Sequence, residues 1–248
     1  MLDLVEAIVL AGGKPSDPLA QRFSVAAKTL VPYKGRPLVE YTLESLTQSG
    51  LEVIFVGPKA NLYPSPKQSL PDRGGIIENL EAGLGVASAN RVLVATGDMP
   101  FLTPEAVRWV LNNAPQAGFV YCVIAKETIE KRFPGMRRTY ARVREGSFTG
   151  GNIVLIDKAL FYSALPLLKR ALALRKQPLA LAQMVGFGTL LQVVLGLAAI
   201  PGLETRVSQI LGVPARALVT PYAEVGVDID KEEDLVWLEE PPSAKGSQ

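Results

Sequence analysis

The segment Ala7-Ile-Val-Leu, closed at once by Ala11-Gly12-Gly13, constrains this chain more than any other. A short apolar run that stops at a glycine turn reads as a buried strand entering a loop. Leu38 to Gln48 then shows helical spacing with Gly50 placed to end it, and Val53-Ile-Phe-Val runs to Gly57-Pro58 as a second strand. Strand, helix, strand is the opening of a parallel α/β sheet. A loop rich in Pro, Ser and Lys covers Pro58 to Arg73, Gly74-Gly75 lead into a helix over Ile76 to Ala87, and Val92-Leu-Val-Ala is a third strand. That strand ends at Thr96-Gly97-Asp98-Met99-Pro100, and Thr103-Pro104-Glu105 opens the next helix with Thr as its cap. Asp98 is thereby carried to the carboxyl edge of the sheet, where open α/β folds bind ligands.

Further strands are expected at Phe119 to Ala125, at Tyr140 to Val143, after a glycine turn at Gly150-Gly151-Asn152, and at Ala217-Leu-Val. From Ala164 the pattern becomes helical. Gln177 to Leu203 carries no charged residue and is long enough to cross a bilayer, which takes about 20 apolar residues. Gln183, Thr189, Gln192 and four glycines interrupt it, and Pro178 and Pro201 bracket it. Two short buried helices are therefore expected, covering an acceptor site or forming a homodimer contact, rather than a membrane span. Gly226-Val-Asp228-Ile-Asp230 precedes a final acidic helix. We expect one domain over residues 1–240 with a helical insertion at about 164–213, and a disordered tail over 241–248.

The chain has no histidine, which removes Ser-His-Asp and Cys-His catalysis and the histidine zinc motifs. Its single cysteine, Cys122, lies in an apolar strand and reads as a core thiol. Carboxylates, lysines, backbone amides and a bound metal remain, a set suited to phosphoryl and nucleotidyl transfer. The formal charge of +2 lacks the dense basic face expected for nucleic-acid binding. Arg137, Arg138, Arg142 and Arg144 form the densest basic cluster, open to two readings: a solvated face, or a group that helps to hold an anionic acceptor. The N-terminus shows no basic region followed by an apolar one, so no signal peptide is expected and the assigned compartment is the cytoplasm.

Glycines at the end of a first strand let backbone N–H groups approach phosphate oxygens. Gly12-Gly13 can do so, and Lys14, Arg22 and Lys28 are the cations placed to neutralise a triphosphate. Lys28 stands in the otherwise apolar Ala26-Ala27-Lys28-Thr29-Leu30-Val31-Pro32, an uncommon place for a merely solvated side chain. Magnesium takes oxygen ligands and keeps several waters, so one or two carboxylates with triphosphate oxygens make an adequate site. Asp98 with Asp228 or Asp230 would supply them. The competing readings are a turn or cap role for Asp98 and an acidic first helical turn for the later pair.

Leu10-Ala-Gly-Gly13, Lys28-Thr-Leu-Val-Pro32, Gly35-Arg-Pro-Leu38, Thr96-Gly-Asp-Met-Pro-Phe-Leu102 and Gly226-Val-Asp-Ile-Asp-Lys-Glu-Glu-Asp-Leu235 follow, in order, the pattern of the MobA-like NTP transferases. The resemblance implies a Rossmann-like, mainly parallel sheet flanked by helices, of the nucleotide-diphospho-sugar transferase type. It implies that Gly12 and Gly13 hold the triphosphate, that Leu10 and Ala11 belong to the same nucleotide-binding segment, and that Lys28 and Asp98 are catalytic. Gly74 and Gly75 would lie against the base, Asn79 would reach base or ribose, and Gly97 would join the nucleotide site. Asp98 would be the main magnesium ligand and Asp228 the second, with Asp230 in reserve. Two departures stand out. Lys14-Pro15-Ser16-Asp17-Pro18 replaces the family's further glycine and arginine, so Lys14 or the later Arg22 takes that arginine's part, and Ala27 replaces a proline before the lysine.

The expected reaction is transfer of a nucleoside monophosphate from an NTP, GTP or CTP, to a small phosphorylated acceptor with release of pyrophosphate. An acceptor phosphate is already ionised at neutral pH and needs no histidine base. Two alternatives remain: a glycosyltransferase using a nucleotide sugar, although Asp98-Met-Pro lacks the second carboxylate such strand ends carry, and a nucleotide-binding module without catalysis.

Overall fold

The computed structural model describes residues 5–14, 16–174 and 186–239. Its centre is an eight-stranded sheet. β1 (Val5–Leu10) lies between β4 (Glu52–Gly57) and β6 (Arg91–Thr96), both parallel to it, and β5 (Gln68–Pro71) continues beyond β4. On the other side come β9 (Gly146–Asp157), β7 (Phe119–Ala125) and β10 (Ala215–Val219), with the short β8 (Ala141–Val143) beside β9. β9 runs antiparallel to both β6 and β7, so the sheet is mixed. A small hairpin of β2 (Pro32–Tyr33) and β3 (Arg36–Pro37) stands apart.

Alternation along β1 builds three layers. Ala7 and Val9 face the side covered by α2 (Leu38–Gln48) and α4 (Pro104–Asn113), packing with Leu43, Leu46 and Val107. Ile8 faces the other side, with Leu80 and Leu84 of α3 (Ile76–Val86) and Phe161 of α6 (Lys158–Leu174). Two-faced burial is why these strands read as continuous apolar runs rather than alternating ones. The chain leaves β1 toward β4 and β5 on one side, then returns through α3 to β6 on the other. The crevice between β1 and β6 is thus a topological switch point, the place where such sheets take ligands.

The structure departs from the sequence reading in four places. Residues 68–71, expected as loop, pair with β4 as an edge strand. Gly150 and Gly151 lie inside β9 rather than in a turn before it, where the ladder with β7 is irregular between Tyr121 and Val123. A Cβ on Gly151 would stand 2.9 Å from the Cys122 carbonyl, and one on Gly150 would collide with the Tyr121 hydroxyl, so close strand approach is what these glycines serve. Helix α6 starts at Lys158, before the expected Ala164, because the Asp157 side chain accepts from the N–H groups of Ala159 and Leu160.

The fourth departure concerns the uncharged stretch, of which residues 177–185 lie outside the described residues, as does the tail over 241–248. Its remainder forms α7 (Phe187–Val194) and begins α8 (Ile200–Leu211). Neither helix is buried: Phe187 is 58% and Val194 73% exposed. Helix α7 rests mainly on the outlying β8, and none of its residues is buried by a second layer among the described residues. No described helix is long and apolar enough to cross a membrane. Cys122 is buried in β7, and burial pushes its thiol up to about 12, as a core thiol requires.

Glu6 ties the far end of β1 to the turn after α3. Its fully buried carboxylate accepts from Ser88 N–H and from Ala89 N–H at 2.7 Å and pairs with Lys67 at 2.6 Å. Burial pushes the carboxyl up, but these donors outweigh it and leave it below the usual 4.5. The stabilisation is therefore complete above that usual value and is lost as pH falls through the lowered folded value. Glu6→Gln is expected to cost about 1–2 kcal/mol at neutral pH. The gap in urea midpoints between wild type and variant should narrow in acid, and a gap independent of pH would contradict this account.

Candidate active site

The loop after β1 and the turn after β6 meet at the carboxyl edge of the sheet. Gly97 N–H donates to the Leu10 carbonyl at 3.0 Å, Ala11 N–H donates to the Val56 carbonyl at 2.8 Å, and the Thr29 hydroxyl donates to the Ala11 carbonyl at 3.0 Å. Thr29 belongs to a 3-10 turn, Lys28–Leu30, so this buried hydroxyl fixes the neighbouring Lys28 beside the glycine loop. Gly97 is buried, and a Cβ there would come within 3.0 Å of Ala11 and Val39.

Lys28 is the centre of the constellation. Its Nζ lies 2.9 Å from Asp98 Oδ2 and also contacts Asp230 Oδ1. Asp98 is only 4% exposed, and its second oxygen, Oδ1, is buried without a hydrogen-bond partner. Ile229 N–H donates to the Asp98 carbonyl at 3.0 Å, which sets Asp228 and Asp230 on either side of it. Asp228 is held by Arg138, whose Nη2 also donates to the Asp228 carbonyl at 3.1 Å. Residues from distant parts of the chain thus meet at one edge of the sheet.

The charges depend on one another. Burial draws the Lys28 ammonium down, but Asp98 and Asp230 outweigh it, so the lysine sits above its ordinary value and stays protonated. Burial pushes the Asp98 carboxyl above the usual carboxylate range; Lys28 pulls it down and Asp228 pushes it up again. The bond from Lys28 holds Asp230 below that range. An orphaned, buried carboxylate oxygen costs free energy unless a cation meets it. No group of three or more ligating side chains forms a metal cage among the described residues. The donor set fits instead a hard cation held by one or two carboxylates, with phosphate and water completing its shell.

Around the glycine loop, Asp72 is a residue the sequence reading missed. It follows the unforeseen edge strand β5, and its carboxylate accepts from Gly13 N–H at 3.1 Å, Gly74 N–H at 2.8 Å and Asn79 Nδ2 at 2.9 Å. Burial raises this carboxyl, but the three donors together leave it below its usual value. Asn79 is buried, and its Oδ1 accepts from Arg73 N–H at 2.6 Å. Gly74, at φ +83°, makes the turn that brings Asp72 back onto the loop, while Gly75 precedes α3. The signal available in the sequence was an aspartate two residues before a Gly-Gly pair.

The expected cations fare differently. Lys14 is exposed beside the loop. Arg22, at the end of α1 (Pro18–Arg22), pairs with Glu232 at 3.1 Å on the rim. The cap reading of Asp98 does not hold, since Thr103 caps α4 by accepting from Ala106 N–H. The acidic turn begins only at Glu232, in the 3-10 turn Glu232–Leu235 before α9 (Val236–Glu239), which leaves Asp228 and Asp230 to Arg138 and Lys28.

A mixed α/β sheet with a glycine loop, a lysine and acidic side chains at its switch point defines a nucleotide-diphospho-sugar type fold. The chain belongs to the MobA-like NTP transferase domain family, whose model matches residues 7–185. Among curated relatives, a probable molybdenum cofactor guanylyltransferase of Methanosarcina mazei is 31% identical over 123 residues, 44% of this chain and 52% of that protein. One of the same description from Thermococcus gammatolerans is 30% identical over 156 residues, 59% of this chain and 77% of that protein. The chain thus spans about half the length of the first relative and about three quarters of the second. A solved structure described as a hypothetical transferase from Thermus thermophilus is 57% identical with a TM-score of 0.90, covering 94% of this chain and 99% of that one. A 2-C-methyl-D-erythritol 4-phosphate cytidylyltransferase, also from Thermus thermophilus, is 21% identical with a TM-score of 0.55 over 96% and 98% of the two chains, and shares the fold.

A Cβ on Gly12 would lie 2.4 Å from Asn79 Nδ2 and 2.7 Å from Asp72 Oδ1. Gly12→Ala is therefore expected to displace the Asn79 and Asp72 side chains that shape the loop and to weaken binding of a fluorescent GTP analogue about tenfold, or about 1.4 kcal/mol. Undiminished binding by the folded variant would separate the loop from the nucleotide.

Proposed function

We propose that this chain is a nucleotidyltransferase that moves a nucleoside monophosphate from an NTP to a small phosphorylated acceptor, with magnesium as its cation. The observation that carries the reading is the bridge from Lys28 to Asp98 and Asp230, beside an Asp98 oxygen that is buried and unpaired. In this reading the Gly12-Gly13 turn receives the triphosphate, with the Gly13 N–H exchanging the Asp72 carboxylate for a phosphate oxygen. Lys28, kept protonated by its carboxylates, turns to the phosphates and counters the charge that grows on the departing pyrophosphate. Asp98 and Asp228 hold the cation, with Asp230 pairing with Lys28 when no phosphate is present. The bound cation would supply charge neutralisation and orientation of the α-phosphate.

An acceptor phosphate oxygen forms a bond to the α-phosphorus as the bond from that phosphorus to the β-bridging oxygen breaks, and pyrophosphate leaves with the electron pair. No proton needs to be removed from the nucleophile, which suits a site without histidine. The guanylyltransferase descriptions of the curated relatives make GTP the first donor to test and the molybdenum cofactor's phosphorylated precursor the first acceptor. A location in the cytoplasm is part of the same proposal.

Pyrophosphate release should be followed with each of the four NTPs, magnesium and a panel of phosphorylated acceptors. Release is expected to require one NTP and one acceptor, and to fall by about a hundred- to a thousandfold in Asp98→Asn, the scale on which removal of charge stabilisation acts. Release that survives in Asp98→Asn would remove Asp98 from the chemistry. Sugar transfer from a nucleotide sugar without pyrophosphate would favour the glycosyltransferase instead.

A further inference from the structure

Arg138 lies between α5 (Lys126–Arg132) and β8, in the basic cluster whose role the sequence left open. Two of its nitrogens are spent on a single residue: Nη1 donates to Asp228 Oδ1 and Nη2 to the Asp228 carbonyl at 3.1 Å. Both side chains are 16% exposed, and Arg138 Nε is buried without a partner. A guanidinium that grips the carboxylate and the backbone of the same residue fixes both its position and its rotamer, which a lysine ammonium does not reproduce. Removal of one member of such a pair leaves a poorly solvated charge behind.

The charges around Asp98 show what this grip does. Asp98, Asp228 and Asp230 bring three carboxylates against Lys28 and Arg138. Lys28 shares its one charge between Asp98 and Asp230, so the repulsion that Asp228 adds at Asp98 is countered from the other side by Arg138. When phosphates draw Lys28 away, Arg138 is the cation that stays. Its bond occupies Asp228 Oδ1, which leaves Oδ2 as the atom available to a metal.

We propose that Arg138 is a positioning residue: acting through Asp228, it holds that carboxylate beside Asp98 so that the two share one divalent cation. This rests on the proposed role of Asp98 and Asp228. Outer contacts of this kind change metal affinity by roughly 10–100-fold when removed.

The test is a titration of the full chain with Mn2+ alone, followed by water-proton relaxation, for wild type, Arg138→Met, Arg138→Lys, Asp228→Asn, Asp98→Asn and the Arg138→Met/Asp228→Asn double variant. Circular dichroism and urea midpoints establish that each is folded; if Arg138→Met does not fold, Arg138→Lys carries the comparison. Arg138→Met is expected to bind Mn2+ about tenfold more weakly and Arg138→Lys to recover only part of the loss. In the Asp228→Asn background, Arg138→Met should add nothing, because a residue that acts through Asp228 has no effect once that carboxylate is gone. Equal or tighter Mn2+ binding by folded Arg138 variants, or an undiminished loss in the Asp228→Asn background, would overturn the proposal. Retention of Mn2+ by Asp98→Asn would show that the metal site itself is elsewhere, and both readings would fall; loss in Asp98→Asn with none in Arg138→Met would sink the positioning role alone.

Discussion

A single part-buried lysine organises the candidate site at the carboxyl edge of the sheet. Lys28 bridges Asp98, at the end of a central strand, and Asp230, 202 positions farther along the chain. Without it, the buried Asp98 carboxylate would lose its counter-ion, and burial would push it further toward protonation. With it, Asp98 and Asp230 are drawn to one ammonium, which pulls the Asp98 carboxyl down against burial and holds Asp230 below the usual range. The carboxylates that would meet a metal are therefore gathered before any ligand arrives, which leaves Lys28 to turn from them onto the phosphates.

Everything else in the fold serves to bring these groups to one edge. Two-faced burial of β1, β4 and β6 fixes their register, so the loops after β1 and β6 emerge side by side. Thr29 anchors the lysine's turn to the glycine loop, and Ile229 anchors the late acidic segment to Asp98 through backbone hydrogen bonding. These neutral bonds position the charged groups without competing for their ions. Arg138 and Asp72 then hold the second carboxylate and the glycine loop from outside.

Much of this was legible in the sequence because the central strands are apolar runs bounded by glycine or proline. Helices α2, α3 and α4 fall within a residue of where the periodicity and caps place them. Lys28 stood out because it interrupts an apolar segment and Asp98 because it closes an apolar strand at the carboxyl edge of the sheet, both of which local sequence displays. Asp72 did not, since its partners Gly13 and Asn79 come from separate segments and its strand, β5, has a polar edge composition. Arg138 was visible only as one of four arginines; its grip on Asp228 is a contact across 90 positions. The glycines at 150 and 151 misled for a related reason: a glycine needed for close strand approach and one needed for a turn look alike until the neighbouring strand is known. Helix α7 misled because an apolar composition says what a segment would bury, not whether a layer exists to bury it.

The most direct test of this account is the anomalous diffraction of Mn2+ in crystals of the protein soaked with a non-hydrolysable NTP. Manganese is expected at the carboxylates of Asp98 and Asp228, with Lys28 turned from Asp98 and Asp230 onto the phosphates. A nucleotide bound at the glycine loop with no metal at Asp98, or with Lys28 still bridging the two carboxylates, would contradict it.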